Sequence, residues 1–213
     1  MLNEVLFAFS ESDGHEFLVE RRGGWIDVQL HTDAGVTLER GLERRMEVRK
    51  LYSESIRKAQ TVVITLGLIE TWYDNVTGLY LNETPDILMQ REHPNRFEFE
   101  VMSIDDVRSL TFRLVEELKS HGREDQKVLL TVSPIPLART FTKDDVIIAN
   151  MYSKSVLRVV AHEVVAACDW VDYFGSYESV MLSDRSLAWQ DDLIHASNDV
   201  VAANVNRLVE NYL

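Results

Sequence analysis

The stretch TVVITLGLIETWYD, residues 61–74, constrains the fold more than any other. Val62, Val63 and Ile64 form an unbroken β-branched run, the composition of a strand buried on both faces. The run stops at Gly67 and passes into a carboxylate (Glu70), a hydroxyl (Thr71) and an indole (Trp72). In an open parallel sheet, ligands sit just outside the carboxyl ends of the strands. A buried strand that breaks into glycine and then polar and aromatic residues therefore marks a candidate active-site edge.

The remaining sequence supplies the partners such a strand needs. KVLLTVS (127–133) is a second buried strand, stopped by Pro134 and Pro136, and 171–174 is a third, shorter one. Helical spacing predicts helices over about 37–60, 103–121, 143–169 and 197–213. Ser103 stands as an N-cap with Asp105 and Asp106 in the first turn, and Gly122 lies just past the end of that helix. Strand and helix alternate through the second two-thirds of the chain, which predicts a parallel sheet covered by helices. Residues 1–35 are less regular: 4–9 and 16–20 read as short strands, and WIDVQLH (25–31) alternates as a half-buried strand does. Residues 79–94 hold two of the four prolines and read as a loop or small insertion, and FEFE (97–100) as an edge strand or entry segment. With 213 residues, 46% of them hydrophobic, one domain with one sizeable core is the simplest organisation.

Charge and cysteine usage exclude several function classes. Asp plus Glu outnumber Lys plus Arg by 35 to 22, a net charge of −13, whereas nucleic-acid affinity rests on neutralising phosphates with cations. Nucleic acid and anionic membrane surfaces are excluded as partners on that ground. No apolar run approaches the roughly 20 residues that span a bilayer. MLNEVLFAFSESDGHEF lacks the basic segment of a secretory leader. The single cysteine, Cys168, cannot form an intramolecular disulfide; it lies in an apolar helical pattern, and a reducing, cytoplasmic location is expected.

Three constellations could carry chemistry. Asp192 and His195 form D-x-x-H, a spacing that lets an acid fix the imidazole tautomer while the other ring nitrogen faces a substrate. Asn150, Ser153, Lys154 and Arg158 recur at helical spacing, either as a polar helix face or as one wall of a cleft where Lys154 or Arg158 binds an anion or pairs with Glu70. Ser133 ends a strand at the presumed functional edge, without the G-x-S-x-G of a nucleophile elbow. HEVVA (162–166) misses H-E-x-x-H because Ala166 replaces the second histidine, and no metal site is expected. Neither phosphate-binding glycine motif is present, and no cofactor is expected.

TLGLIETW (65–72), TVSPIPLARTF (131–141), the run from Ala149 to Arg158, DYFGSYE (172–178) and the late D-x-x-H together resemble the GSCFA domain, over roughly residues 60–197. That family is similar to the SGNH hydrolases. The resemblance implies an α/β fold in three α/β/α layers with a mainly parallel sheet, SGNH- or flavodoxin-like. It also implies a Ser–His–Asp type of site, with His195 as general base, Asp192 as its orienter, and Gly67 in the segment that helps build an oxyanion hole. Glu70 stands about where the wider pattern has an amide, and a carboxylate there orients another residue or pairs with a cation, because it would repel an oxyanion. The Gly–Ser–Cys–Phe–Ala motif that names the family does not occur in this chain. The first β–α unit is therefore expected to be missing, in a fragment of a longer protein or in a homologue that has lost its nucleophile. A sheet without that unit would expose an apolar edge, covered by residues 1–35, by a partner, or by self-association.

Two functions follow as expectations. One is an O-acyl esterase or acyltransferase acting on a carbohydrate or other hydroxyl-bearing ester, with Trp72, Tyr73 and Tyr177 offered for stacking on a sugar. The other is a non-catalytic domain that keeps the cleft and holds an acylated or anionic ligand through Arg139, Lys154 and Arg158.

Overall fold

The structure, a computed structural model, describes residues 1–31 and 34–212. Thr32 and Asp33 of the N-terminal segment, and Leu213 of the expected terminal helix, lie outside the described residues. In chain order the elements are α1 (Leu2–Ala8), β1 (Leu18–Arg21), β2 (Gly24–Asp27), α2 (Leu38–Lys58), β3 (Thr61–Leu66), β4 (Glu70–Asp74), β5 (Leu79–Leu81), α3 (Ile87–Glu92), β6 (Phe97–Val101), α4 (Ile104–His121), β7 (Lys127–Val132), α5 (Val146–Ala167), β8 (Val171–Tyr173), α6 (Ser176–Leu182), α7 (Arg185–Ala188) and α8 (Asn198–Tyr212). This is a mixed α/β fold with one parallel sheet and two antiparallel ones. The chain divides into two units: Met1–Lys58, Glu70–Met102 and Glu116–Gly122 form the first, and Ala59–Ile69, Ser103–Val115 and Arg123–Leu213 the second.

The second unit holds the parallel sheet, in the order β3-β7-β8. Val128 to Val132 point alternately to the two faces of β7 and all five are buried, so this central strand is covered on both sides. Helices α5 and α6 pack against it. Ala149, Ser153, Val156, Leu157, Val160, Ala161 and Val164 form the buried stripe of α5 at helical spacing. Asp145 caps that helix by accepting from Ile147 N (2.8 Å), which sets its start at Val146. Ser103 caps α4 reciprocally with Asp106: Oγ of Ser103 accepts from Asp106 N (3.2 Å), and Oδ2 of Asp106 accepts from Ser103 N (3.0 Å).

Strand β3 departs from the expectation of burial on both faces. It ends the sheet order, and while Ile64 is buried, Val63 is 43% exposed. A β-branched run suits an edge strand as well as a central one, because composition reports pleat compatibility and not the number of neighbours.

The first unit has two antiparallel sheets, β1-β2 and β5-β4-β6. β6 is an edge strand, as its alternation predicts. Residues 79–94 carry more structure than the expected loop: β5 pairs with β4, and Asp86 caps α3 by accepting from Met89 N (2.8 Å). Residues 4–9, expected as a strand, lie mostly in α1. Glu4 and Ala8 share one buried helical face, and Glu4 is drawn inside by Arg45. A short apolar run has no period of its own to choose between strand and helix, and here the buried ion pair decides. No described helix is long and apolar enough to cross a membrane, and no group of three or more His, Cys, Asp or Glu among the described residues could hold a metal ion.

Candidate functional site

Three consecutive peptide units at the carboxyl end of β3 are anchored from different directions. The Leu66 carbonyl accepts from Ser133 N (2.8 Å), the Gly67 carbonyl accepts from Lys154 Nζ (2.8 Å), and Ile69 N donates to Ser153 Oγ (3.0 Å). The N–H groups of Gly67 and Leu68 have no hydrogen-bond partner among the described residues. In a trans peptide the N–H points away from its carbonyl. Fixing the carbonyls of residues 66 and 67 therefore also fixes the directions of these two donors. A Cβ added at Gly67 would meet nothing within 4 Å, so the space in front of the turn is open. Preorganised, unoccupied donors of this kind can receive a carbonyl oxygen as negative charge develops on it.

The polar face of α5 provides two of those anchors and braces two neighbouring segments. Asn150 Oδ1 accepts from Leu137 N (3.0 Å) and ties down the chain after β7. Arg158 donates from Nε to Glu178 Oε1 (2.8 Å) and stacks over Tyr173 (4.1 Å), while the Tyr173 hydroxyl donates to the same carboxylate (2.9 Å to Oε2). Burial, and then the bond to Glu178, push the Tyr173 phenol far above its ordinary range. The acid that takes Arg158 is thus Glu178, where the sequence offered Glu70. Lys154 differs from its neighbours on this face. Its side chain is 1% exposed, its one partner among the described residues is the Gly67 carbonyl, and burial lowers its pKa to about 8.

Asp192 and His195 occupy the loop between α7 and α8. A bridge from Trp189 to Ala196 closes its base, where Gln190 N donates to His195 O (2.8 Å) and Gln190 Nε2 to Ala196 O (3.1 Å). Leu193, at φ +56°, takes the left-handed conformation that a branched residue seldom adopts. Asp192 Oδ1 accepts from Ile194 N and His195 N, both at 2.9 Å, and Oδ2 lies 2.5 Å from His195 Nδ1. The imidazole bond first, and then the two backbone N–H groups, hold the Asp192 carboxyl at a pKa of about 2. With Asp192 ionised, the Nδ1–H of the imidazole donates to it, and Nε2 has no hydrogen-bond partner among the described residues.

Ser133 enters this arrangement through its backbone N–H and not through its hydroxyl. Ser133 Oγ accepts from Ile135 N (3.2 Å), and Ser176 Oγ lies 2.5 Å from Thr131 Oγ1. Among the described residues, no serine hydroxyl hydrogen-bonds His195. Glu70 and Trp72 belong to β4 of the first unit, where Trp72 packs on the cluster of Val19, Ile26, Val28, Leu81 and Met89 and meets Phe99 edge-on at 5.7 Å. Its indole is part of that core. Sequence reasoning did not single out Leu68, whose N–H is one of the two donors, or Gln190, which closes the histidine loop. A backbone donor leaves no side-chain signature, whereas Gln190 directly precedes Asp191 and Asp192 in the sequence.

The family model described as the GSCFA family matches residues 1–208, taking in the N-terminal elements as well as the 60–197 region. Comparison with curated proteins and with solved structures gave no match.

Proposed function

The chain belongs to the GSCFA family, and from that premise we propose that it is an O-acyl esterase or acyltransferase domain acting on a carbohydrate or another hydroxyl-bearing acceptor. The observation that carries this reading is the pair of unpartnered N–H groups on Gly67 and Leu68, held by Ser133, Lys154 and Ser153. They receive the acyl oxygen as the carbonyl carbon becomes tetrahedral, and a single donor of this kind is typically worth about 10²–10³ in rate. Nε2 of His195 takes the proton of the attacking hydroxyl and returns it to the departing alcohol oxygen, while Asp192 stabilises the imidazolium formed between the two steps. With a serine as attacker, the acyl group passes through a serine ester before water or an acceptor hydroxyl removes it. The same reading places the protein in the cytoplasm, where the buried thiol of Cys168 stays reduced. Self-association through the outer edge of β3 is the partner it favours.

One observation favours a second reading. No serine hydroxyl among the described residues reaches His195, as would suit a domain that holds an acylated or anionic ligand without turnover. A fluorophosphonate probe and an aryl acetate substrate separate the two. Labelling at one serine together with hydrolysis, both lost in His195→Ala, supports the enzyme. Well-folded protein that neither labels nor hydrolyses, yet binds an ester ligand, sinks it and leaves the binding domain.

A further inference from the structure

We infer that the turn at the end of β3 is a carboxylate-binding site, with Lys154 as the positioning residue that balances its charge from behind. The ammonium is buried, and its one partner among the described residues is a neutral carbonyl, Gly67 O at 2.8 Å. No carboxylate among the described residues lies within ion-pair distance of Nζ. A buried charge held this way is poorly compensated, and an anion nearby would relieve it. The peptide joining Gly67 to Leu68 supplies the route. Nζ donates to its oxygen on one side, and the Leu68 N–H on the other side is unoccupied. Donation to the carbonyl polarises the amide and makes its N–H a stronger donor. A carboxylate oxygen on Leu68 N would complete a line running ammonium, peptide, anion. Gly67 contributes a second N–H without a hydrogen-bond partner among the described residues.

The chemistry selects a monoanion. Lys154 is the cation tied to this turn, whereas Arg158 is committed to Glu178. A phosphate dianion would call for more positive charge than one lysine in a chain of net charge −13. The Leu68 side chain, 43% exposed, lies beside the donors and gives an apolar surface to a short acyl chain. The ligand class is therefore a short-chain carboxylate, the product that ester cleavage would leave on these donors. The inference rests on the reading of Gly67 and Leu68 as the acyl-oxygen donors.

The test is binding and needs no turnover. The ¹⁵N-labelled 213-residue chain is titrated with sodium acetate and with sodium butyrate, against sodium chloride at matched ionic strength. The expected result is a saturable downfield shift of the Gly67 and Leu68 amide protons, absent with chloride. Lys154→Met should weaken that binding by about tenfold or more, as loss of a charge across one peptide in a partly buried site implies. Should Lys154→Met not fold, the wild-type Nζ signal gives the same answer, because saturating acetate should raise the pH at which Lys154 loses its proton. Shifts no larger than those with chloride, equal affinity in Lys154→Met, or an unmoved Lys154 titration would overturn the inference. Acetate binding without any ester turnover would keep this site and sink the esterase reading. Turnover without acetate binding would do the reverse.

Discussion

Asp192 Oδ2 lies 2.5 Å from Nδ1 of His195, in a loop where the two side chains are 44% and 62% exposed. Burial therefore does not create this contact. It comes from the loop closure by Gln190 and the two backbone N–H groups that fix the Asp192 carboxylate before the imidazole meets it. The folded pKa of Asp192, about 2, lies below the unfolded value near 3.9, so its stabilising contribution is complete above about pH 4 and is lost as pH falls toward 2. In His195→Gln the Asp192 midpoint should move up, without reaching the unfolded value, because the backbone donors remain. Side-chain carboxyl NMR reads this directly, and a midpoint still near 2 would show that the imidazole is not its main cause. On the proposed esterase reading, Asp192→Asn should lower ester turnover by about 10²–10⁴.

Lys154 gives a pH signature of opposite sense. Its folded pKa of about 8 lies below the unfolded value near 10.4, so between these values the unfolded chain binds the extra proton. Stability therefore rises with pH through that window, by at most about 3 kcal/mol at 1.36 kcal/mol per unit. The amino group of Met1 is also lowered by desolvation, and its effect falls below about pH 8. Tyr173, pushed up by burial, opposes the rise only above about pH 10, where unfolded phenols ionise. Urea midpoints at pH 8 and 9.5 isolate the lysine: the wild type should gain stability and Lys154→Met should stay flat. Parallel behaviour of the two proteins would mean that Lys154 is not the titrating group.

What the sequence made legible depended on whether a signal was local. The Ser103 cap and the buried run of β7 lie within single elements, and both took their expected form. The D-x-x-H contact is local too, three residues apart, and it formed. The exposed face at Val63 was not legible, because an edge is defined by which strand pairs with which, and that is a property of the sheet. Lys154 was visible as one member of a polar helix face. Its burial depends on the turn at Gly67, 87 residues away in sequence, so the residue that differs most from its neighbours looked like them. Trp72 read as a ligand aromatic beside Gly67, but β4 begins at Glu70 and carries it into a different sheet.

Arg45 of α2 supplies the strongest prediction for stability. Its guanidinium donates to Glu4 (2.5 and 3.0 Å) and Asp27 (3.2 Å), and lies over the rings of Phe7 and Phe17 at 4.7 and 4.3 Å. Burial opposes its charge, but the bond to Glu4 and the attraction of both acids outweigh it and keep the guanidinium ionised. Asp27 goes the other way, since burial raises its pKa despite Arg45 beside it. A carboxyl with a raised folded pKa favours the fold at low pH and loses that contribution as pH rises through the folded value. Arg45→Met leaves two buried carboxylates without a cation and should cost about 3–5 kcal/mol at pH 7. Adding Glu4→Gln and Asp27→Asn should recover much of that loss, because the stranded charges are then gone. Denaturation at pH 7 and pH 5 distinguishes charge from packing. If stranded carboxylates cause the loss, Arg45→Met should be closer to wild type at pH 5, where Asp27, raised by burial, takes up a proton and removes part of the stranded charge. An equal deficit at both values would assign the loss to the stem packed on Phe7 and Phe17.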